Sequence, residues 1–124
     1  SSPKPGPTLM EAQPLLSQLL QLMESGQGER ILNILDAEAR SKPSAQALSR
    51  GYDSLVEGAR PVRLSHVEFK AEPGDGRLLV VGHLRVLAGE QTIGSLGKKM
   101  VLRAEFASRE GIVVITALSG GPAN

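Results

Sequence analysis

Pro61-Val62-Arg63-Leu64-Ser65-His66-Val67-Glu68-Phe69-Lys70-Ala71-Glu72 is where the chain changes its period. Before this stretch apolar residues recur three and four apart, as on one face of a helix. From Val62 onward they alternate, as on one face of a strand. The alternation itself slips: Val62 and Leu64 share one parity, Val67 and Phe69 the other. Two residues opposing one on the neighbouring strand would restore a single apolar face, so a bulge is expected near Ser65-His66. Helices first and long strands afterwards imply an α+β domain with the helices on one face of an antiparallel sheet.

Three helices are expected upstream. Residues 45–57 carry Leu48, Tyr52, Leu55 and Val56 on one face, with Ser44 as cap, Gly58 at the end and a permissive Gly51 inside. Residues 29–40 carry Ile31, Leu32, Ile34, Leu35 and Ala39 and stop at Ser41-Lys42-Pro43. Residues 8–25 open on Thr8 and Glu11 at capping-box spacing and carry Leu15, Leu16, Leu19, Leu20, Leu22 and Met23. Pro14 argues for a short turn at 8–12 and a helix starting at Pro14, because proline removes a backbone donor and clashes one turn back. Ser1 to Pro7 holds three prolines and reads as an extended linker or tether that buries almost nothing. The folded unit is then 8–121, with 122–124 as a tail.

Downstream, Pro73-Gly74-Asp75-Gly76 is a turn, 77–88 a second strand and Ala88-Gly89-Glu90-Gln91 the next turn. A third strand runs over 91–108, interrupted by Gly94 and Gly97. A hairpin loop follows at Ser108-Arg109-Glu110-Gly111, then a fourth strand from Ile112 to Leu118. Ser119-Gly120-Gly121-Pro122 ends the fold. Strands two and four are apolar at both parities. With Leu78, Val80, Ile112 and Val114 toward the helices, Leu79, Val81, Val113 and Ile115 stand on the outer face together with His83. A contiguous apolar patch there implies a partner surface.

Composition supports a single domain. The chain has 124 residues, 40% hydrophobic and 22% charged, with no cysteine and three aromatics, Tyr52, Phe69 and Phe106. That length buries enough surface to fold without a metal or disulfide, and the core must be aliphatic. Net charge is +1, divided as −1 over residues 1–60 and +2 over 61–124. So even a division argues against nucleic acid as partner. No apolar run is long enough for direct membrane insertion. The reading is a soluble domain, with cytoplasm and periplasm both open.

The order of elements resembles the nuclear-transport-factor-2-like (NTF2-like) superfamily, a cone-shaped α+β fold shared with ketosteroid isomerases and many binding domains. Residues 24–118 carry the resemblance. Glu24-Ser25-Gly26-Gln27-Gly28-Glu29-Arg30-Ile31-Leu32 looks like the break between the first two helices, and Leu48 to Val56 like the third helix. Arg63-Leu64-Ser65-His66-Val67-Glu68-Phe69 looks like the first long strand, and Arg109-Glu110-Gly111-Ile112 like the final hairpin. Two departures argue against a well-formed ligand pocket. Only Lys42-Pro43-Ser44 is available for a strand often found between helices two and three, and Ile112-Val113 replaces an aromatic that commonly follows the last turn glycine.

The resemblance implies two classes of function. An isomerase or dehydratase would need an acid–base group and an oxyanion donor inside the apolar cone. The ionisable candidates are Tyr52, Asp53, His66, Glu68, His83, Arg85, Arg103 and Glu105, with Asp36 closing the second helical run. Tyr52 and His66 are the pocket candidates, and both also suit purely structural roles. No metal-ligand spacing, nucleophile elbow or phosphate loop is present, and Gly94-Ser95-Leu96-Gly97-Lys98-Lys99 lacks the phosphate-loop frame. No catalytic set, metal or cofactor is therefore expected. The expectation is a non-catalytic binding or assembly domain of a larger protein, pairing as a homodimer or covering another domain through Leu79, Val81, His83, Val113 and Ile115. The alternatives are a small isomerase or dehydratase, and a binder of a small apolar ligand, each using the cone interior.

Overall fold

The computed structural model describes residues 4–89 and 97–123. The turn at Glu90-Gln91, the start of the expected third strand and Gly94-Ser95-Leu96 lie outside the described residues.

Helix α1 spans Leu9–Glu24. Its start is fixed reciprocally: the Glu11 amide donates to Thr8 Oγ1 at 3.2 Å, and the Thr8 amide donates to Glu11 Oε1 at 3.1 Å. The expected restart at Pro14 does not occur, because this box commits the chain to helix from Leu9. Pro14 sits within the helix on its exposed side, and the carbonyl it leaves without a donor belongs to Met10, which is itself exposed.

The expected single helix at 29–40 is three short pieces: α2 (Gly28–Ile31), a 3₁₀ turn (Leu32–Ile34) and α3 (Ala37–Arg40). Asp36 is the reason. Its carboxylate accepts from the Ala39 amide at 2.8 Å, so it caps a new helix instead of continuing the old one. Arg40 then donates to the carbonyls of Leu32 and Leu35 that the break sets free. Helix α4 covers Pro43–Val56. Pro43 rather than Ser44 begins it, since proline's fixed φ suits the first helical position.

Four strands follow, β1 (Val62–Gly74), β2 (Arg77–Ala88), β3 (Lys98–Arg109) and β4 (Ile112–Pro122), in the order β1-β2-β3-β4, all antiparallel. The sheet curves over the helices, and the core lies between α1, α4 and its inner face. Two bulges set its register. One falls between Ser65 and Glu68, with His66 at φ 53°, as the parity slip in the sequence requires. The other falls at Thr116, opposite the Glu105–Phe106 step.

The hairpin that precedes this second bulge corrects the expected outer face. Glu110 and Gly111 form a two-residue turn, both with positive φ, which pairs Arg109 with Ile112 and hence Phe106 with Ile115. Phe106 is fully buried, so Ile115 is too, at 1% exposure, and Val113 packs against the core. Ile112 is the exposed residue. Val113 and Ile115 are therefore inner-face residues. The strand also runs on to Pro122, paired with Met100, so Ser119-Gly120-Gly121-Pro122 is strand and not an ending.

Residues 4–7 bury more than an extended spacer would. The Lys4 amide donates to Asp75 Oδ1 at 2.8 Å, the Gly76 amide donates to the Lys4 carbonyl at 2.9 Å, and Pro7 is buried. The segment clasps the β1–β2 turn. Deleting residues 1–7 removes both bonds and uncovers apolar surface, so a loss of about 1–3 kcal/mol is expected. Thermal denaturation should show a Tm lower by several degrees; an unchanged Tm would refute the clasp.

Candidate functional site

The interior was the place to look for chemistry, and Tyr52 occupies it. Its ring is wholly buried on α4, and its hydroxyl donates to the Met23 carbonyl at 2.5 Å, near the end of α1. Burial pushes its pKa up, Glu24 adds to the rise and Arg60 opposes it. A hydroxyl whose one proton is already given to a backbone carbonyl is no oxyanion donor. Its neighbour Asp53 is engaged as well, accepting from the Gly28 amide at 2.7 Å. Gly28 is needed there, since a Cβ would collide with the Ser49 carbonyl.

None of the other acid–base candidates reaches the interior. Asp36 caps α3 and pairs with Arg109 at 2.8 Å. His66 is exposed at the β1 bulge, its Nδ1 3.1 Å from Ser65 Oγ. The space between sheet and helices is filled by Tyr52, Phe106, Leu19, Met23, Leu48, Met100 and their aliphatic neighbours. Gly82 lets the sheet close up: a Cβ there would lie 2.7 Å from Phe69 Cε1. Ser49 is the single buried polar residue among those described, and no buried side-chain polar atom among them lacks a partner.

The charged candidates stand instead on the outer face, where the pairing arranges them in rows. One row reads Glu72, Leu79, Glu105, Ala117 across the four strands, and the next Lys70, Val81, Arg103, Ser119. A third reads Glu68, His83, Val101, Gly121, and a fourth Ser65, Arg85, Lys99. Leu79 and Val81 are half-buried and His83 exposed, all facing away from the helices. They do not form a patch with β4, because β3 lies between and interposes Glu105 and Arg103. Glu105 also accepts from Arg77 at 2.6 Å.

Two shallow clefts lie on this face. One, of about 470 Å³, is bordered by Glu72, Arg77, Leu79, Arg103, Glu105 and Ser119. The other, of about 540 Å³, is bordered by His66, Glu68, Lys70, His83, Arg85 and Lys99. A third groove, between α4 and the end of β3–β4, is lined by Gly51, Ser54, Leu55, Lys98 and Pro122, with Lys98 tied to the Leu55 carbonyl at 3.1 Å. Among the described residues no His, Asp or Glu cluster is placed to hold a metal, and no helix is long and apolar enough to cross a membrane. The row arrangement and the Asp53 contact escaped the sequence reading. Counting pairs outward from the two-residue Glu110-Gly111 turn gives the β3–β4 register only as far as Phe106 and Ile115, because the bulge at Thr116 shifts every row beyond them.

No family model and no curated protein matches the chain. Solved structures do. A candidate association domain of a calcium/calmodulin-dependent protein kinase type II from Thiobacillus denitrificans aligns over 100% of both chains, at TM-score 0.65 and 10% identity. A Nostoc punctiforme protein of unknown function with a cystatin-like fold aligns over 93% of this chain and 90% of its own, at TM-score 0.64 and 10% identity. A candidate dehydratase of the NTF2-like family from Streptomyces avermitilis aligns over 93% and 95%, at TM-score 0.56 and 15% identity. The chain has the NTF2-like fold.

Replacing Tyr52 by Phe removes this bond and leaves the Met23 carbonyl with the Gly26 amide alone, at a cost of about 1 kcal/mol. The raised pKa gives a second test. The neutral phenol favours the fold, so its contribution is full below the ordinary tyrosine range and is lost as pH rises above about 10. Tyr52 is the one tyrosine, so tyrosinate absorbance reports it directly. Ionisation should coincide with alkaline unfolding; ionisation of the folded protein in the ordinary range would contradict the buried bond.

Proposed function

We propose that this chain is a non-catalytic binding and assembly domain that pairs with a second copy of itself through the outer face of its sheet. The carrying observation is the division of its chemistry. The interior is filled and its phenol is committed to a backbone carbonyl, while the ionisable candidates stand outside in rows that complement each other.

The complementarity is geometric. A face-to-face pair must have its two-fold axis in the plane between the sheets. An axis across the strands, between the row of Glu72, Leu79 and Glu105 and the row of Lys70, Val81 and Arg103, sets each row against the other row of the second copy. Leu79 then meets Val81, and carboxylates meet cations on both sides. Aligned sheets pack about 10 Å apart, close enough for these side chains to interdigitate. Opposed charge supplies register, and the aliphatic pair supplies the desolvated centre.

The rival reading is a dehydratase of the kind that the name of the Streptomyces avermitilis structure suggests. It would need an acid and a donor converging on a cavity, and Tyr52, Asp53 and Asp36 are each bonded to the protein's own backbone. Hydration, dehydration and double-bond isomerisation assays should show no turnover that Tyr52→Phe or Asp36→Asn abolishes.

Sedimentation at micromolar concentration tests the pairing. The wild type should run at twice its 13.1 kDa chain mass. Leu79→Lys should weaken pairing by about tenfold or more, since the new ammonium sits between Glu72 and Glu105 in one chain but faces the basic row of the other. Lys70→Glu and Glu72→Lys should each weaken it, and the double swap should restore it. A wild-type monomer, or a pair indifferent to these changes, would refute the proposal.

A further inference from the structure

The basic end of the outer face has a chemistry that pairing uses only at Lys70. Cross-strand register sets Arg85 between Ser65 and Lys99, and His83 between Glu68 and Val101. With His66 and Lys70 they enclose the cleft of about 540 Å³, within the range of small-molecule sites. Three fixed cations, Lys70, Arg85 and Lys99, face one carboxylate, Glu68, in a chain whose total charge is only +1. The evenness of charge read from the sequence does not hold at this corner.

Among the described residues these cations are also without partners. Arg30, Arg40, Lys42, Arg77, Lys98 and Arg109 are each bonded to a carbonyl, an amide oxygen or a carboxylate. Among the described residues, no carboxylate or carbonyl holds the side chains of Lys70, Arg85 or Lys99, and they share one concavity. Like charges gathered on adjacent strands repel one another, and an anion between them would relieve that repulsion.

The bulge adds a fourth nitrogen. His66 holds a left-handed φ of 53° that a non-glycine residue adopts at some cost, and the bulge turns its ring onto the rim of this cleft. Its Nδ1 rests against Ser65 Oγ, leaving Nε2 for another partner. A guanidinium fork, two ammonium groups and two imidazoles from three strands match the oxygens of a phosphate group.

We propose that this cleft binds a small phosphate-bearing ligand, held by Arg85 and Lys99 with His66 and His83 as additional donors. Calorimetric titration of the full chain with pyrophosphate, AMP and inorganic phosphate tests it, with amide NMR spectra to locate the site. Pyrophosphate or AMP should bind below millimolar concentration, with shifts centred on residues 65–70, 83–85 and 99. AMP tighter than inorganic phosphate would mark a phosphate ester as the ligand, and the reverse a free anion. Arg85→Gln and Lys99→Gln should each weaken binding about tenfold. Arg50→Gln, a cation exposed on α4, should not. Leu79→Lys should bind as the wild type does, which separates this proposal from the pairing. No binding by any of the three probes, equal losses from Arg50→Gln and Arg85→Gln, or binding only of a single-stranded oligonucleotide would overturn it.

Discussion

Two adjacent side chains of α4 hold the corner on which the rest of the fold is built. Tyr52 donates to the last buried residue of α1, the Met23 carbonyl, and Asp53 accepts from the first amide of α2, that of Gly28. Between them the chain turns through Gly26, at φ 75°. Gly28 rests against the Ser49 carbonyl one turn back along α4, so the corner and α4 touch backbone to backbone. The turn leaves the Gly28 amide in need of an acceptor and the Met23 carbonyl with the Gly26 amide alone, and two consecutive side chains complete both.

That arrangement consumes the groups a reaction would have used. A phenol and a carboxylate one residue apart, beside an apolar interior, look like an acid–base pair in sequence. In the fold each is bonded to backbone, Tyr52 within the aliphatic core and Asp53 at its exposed edge. With the interior closed by Phe106, Met100 and Leu118, the remaining charge has only the outer face to occupy. There the period of two sorts it: between the bulges every second residue of each strand faces away from the helices, and cross-strand register converts sequence alternation into rows of like charge.

Like-charged rows that alternate in sign are unfavourable within a row and favourable between rows. Arg77 relieves Glu105 within the chain, as does Arg109 for Asp36 at the sheet's end. Exposed pairs of this kind contribute little to stability, about 1 kcal/mol or less each. Under the proposed pairing their value would be orientation, since opposed rows fix the register of a second copy.

What the sequence by itself determined was local: the change of period at Pro61, the capping box at Thr8, the bulge at Ser65-His66 and the turns at Gly76 and Gly111. Each depends on residues within a few positions of one another, so composition and spacing suffice to specify it. Helix two was misread for the opposite reason. Asp36 looks like the end of an apolar run, and the distant partner of its carboxylate is Arg109 at the end of β3, which pairs with the same side chain that accepts from the Ala39 amide. The facing of β4 was settled only by tertiary structure. Ile112 to Ile115 is apolar at both parities, so either face satisfies the local pattern. The choice came from the two-residue turn at Glu110-Gly111, which puts Ile115 opposite Phe106 in the core, and from the bulge at Thr116, which brings Leu118 inside as well, because a shift of one residue in register exchanges every side chain between inside and outside.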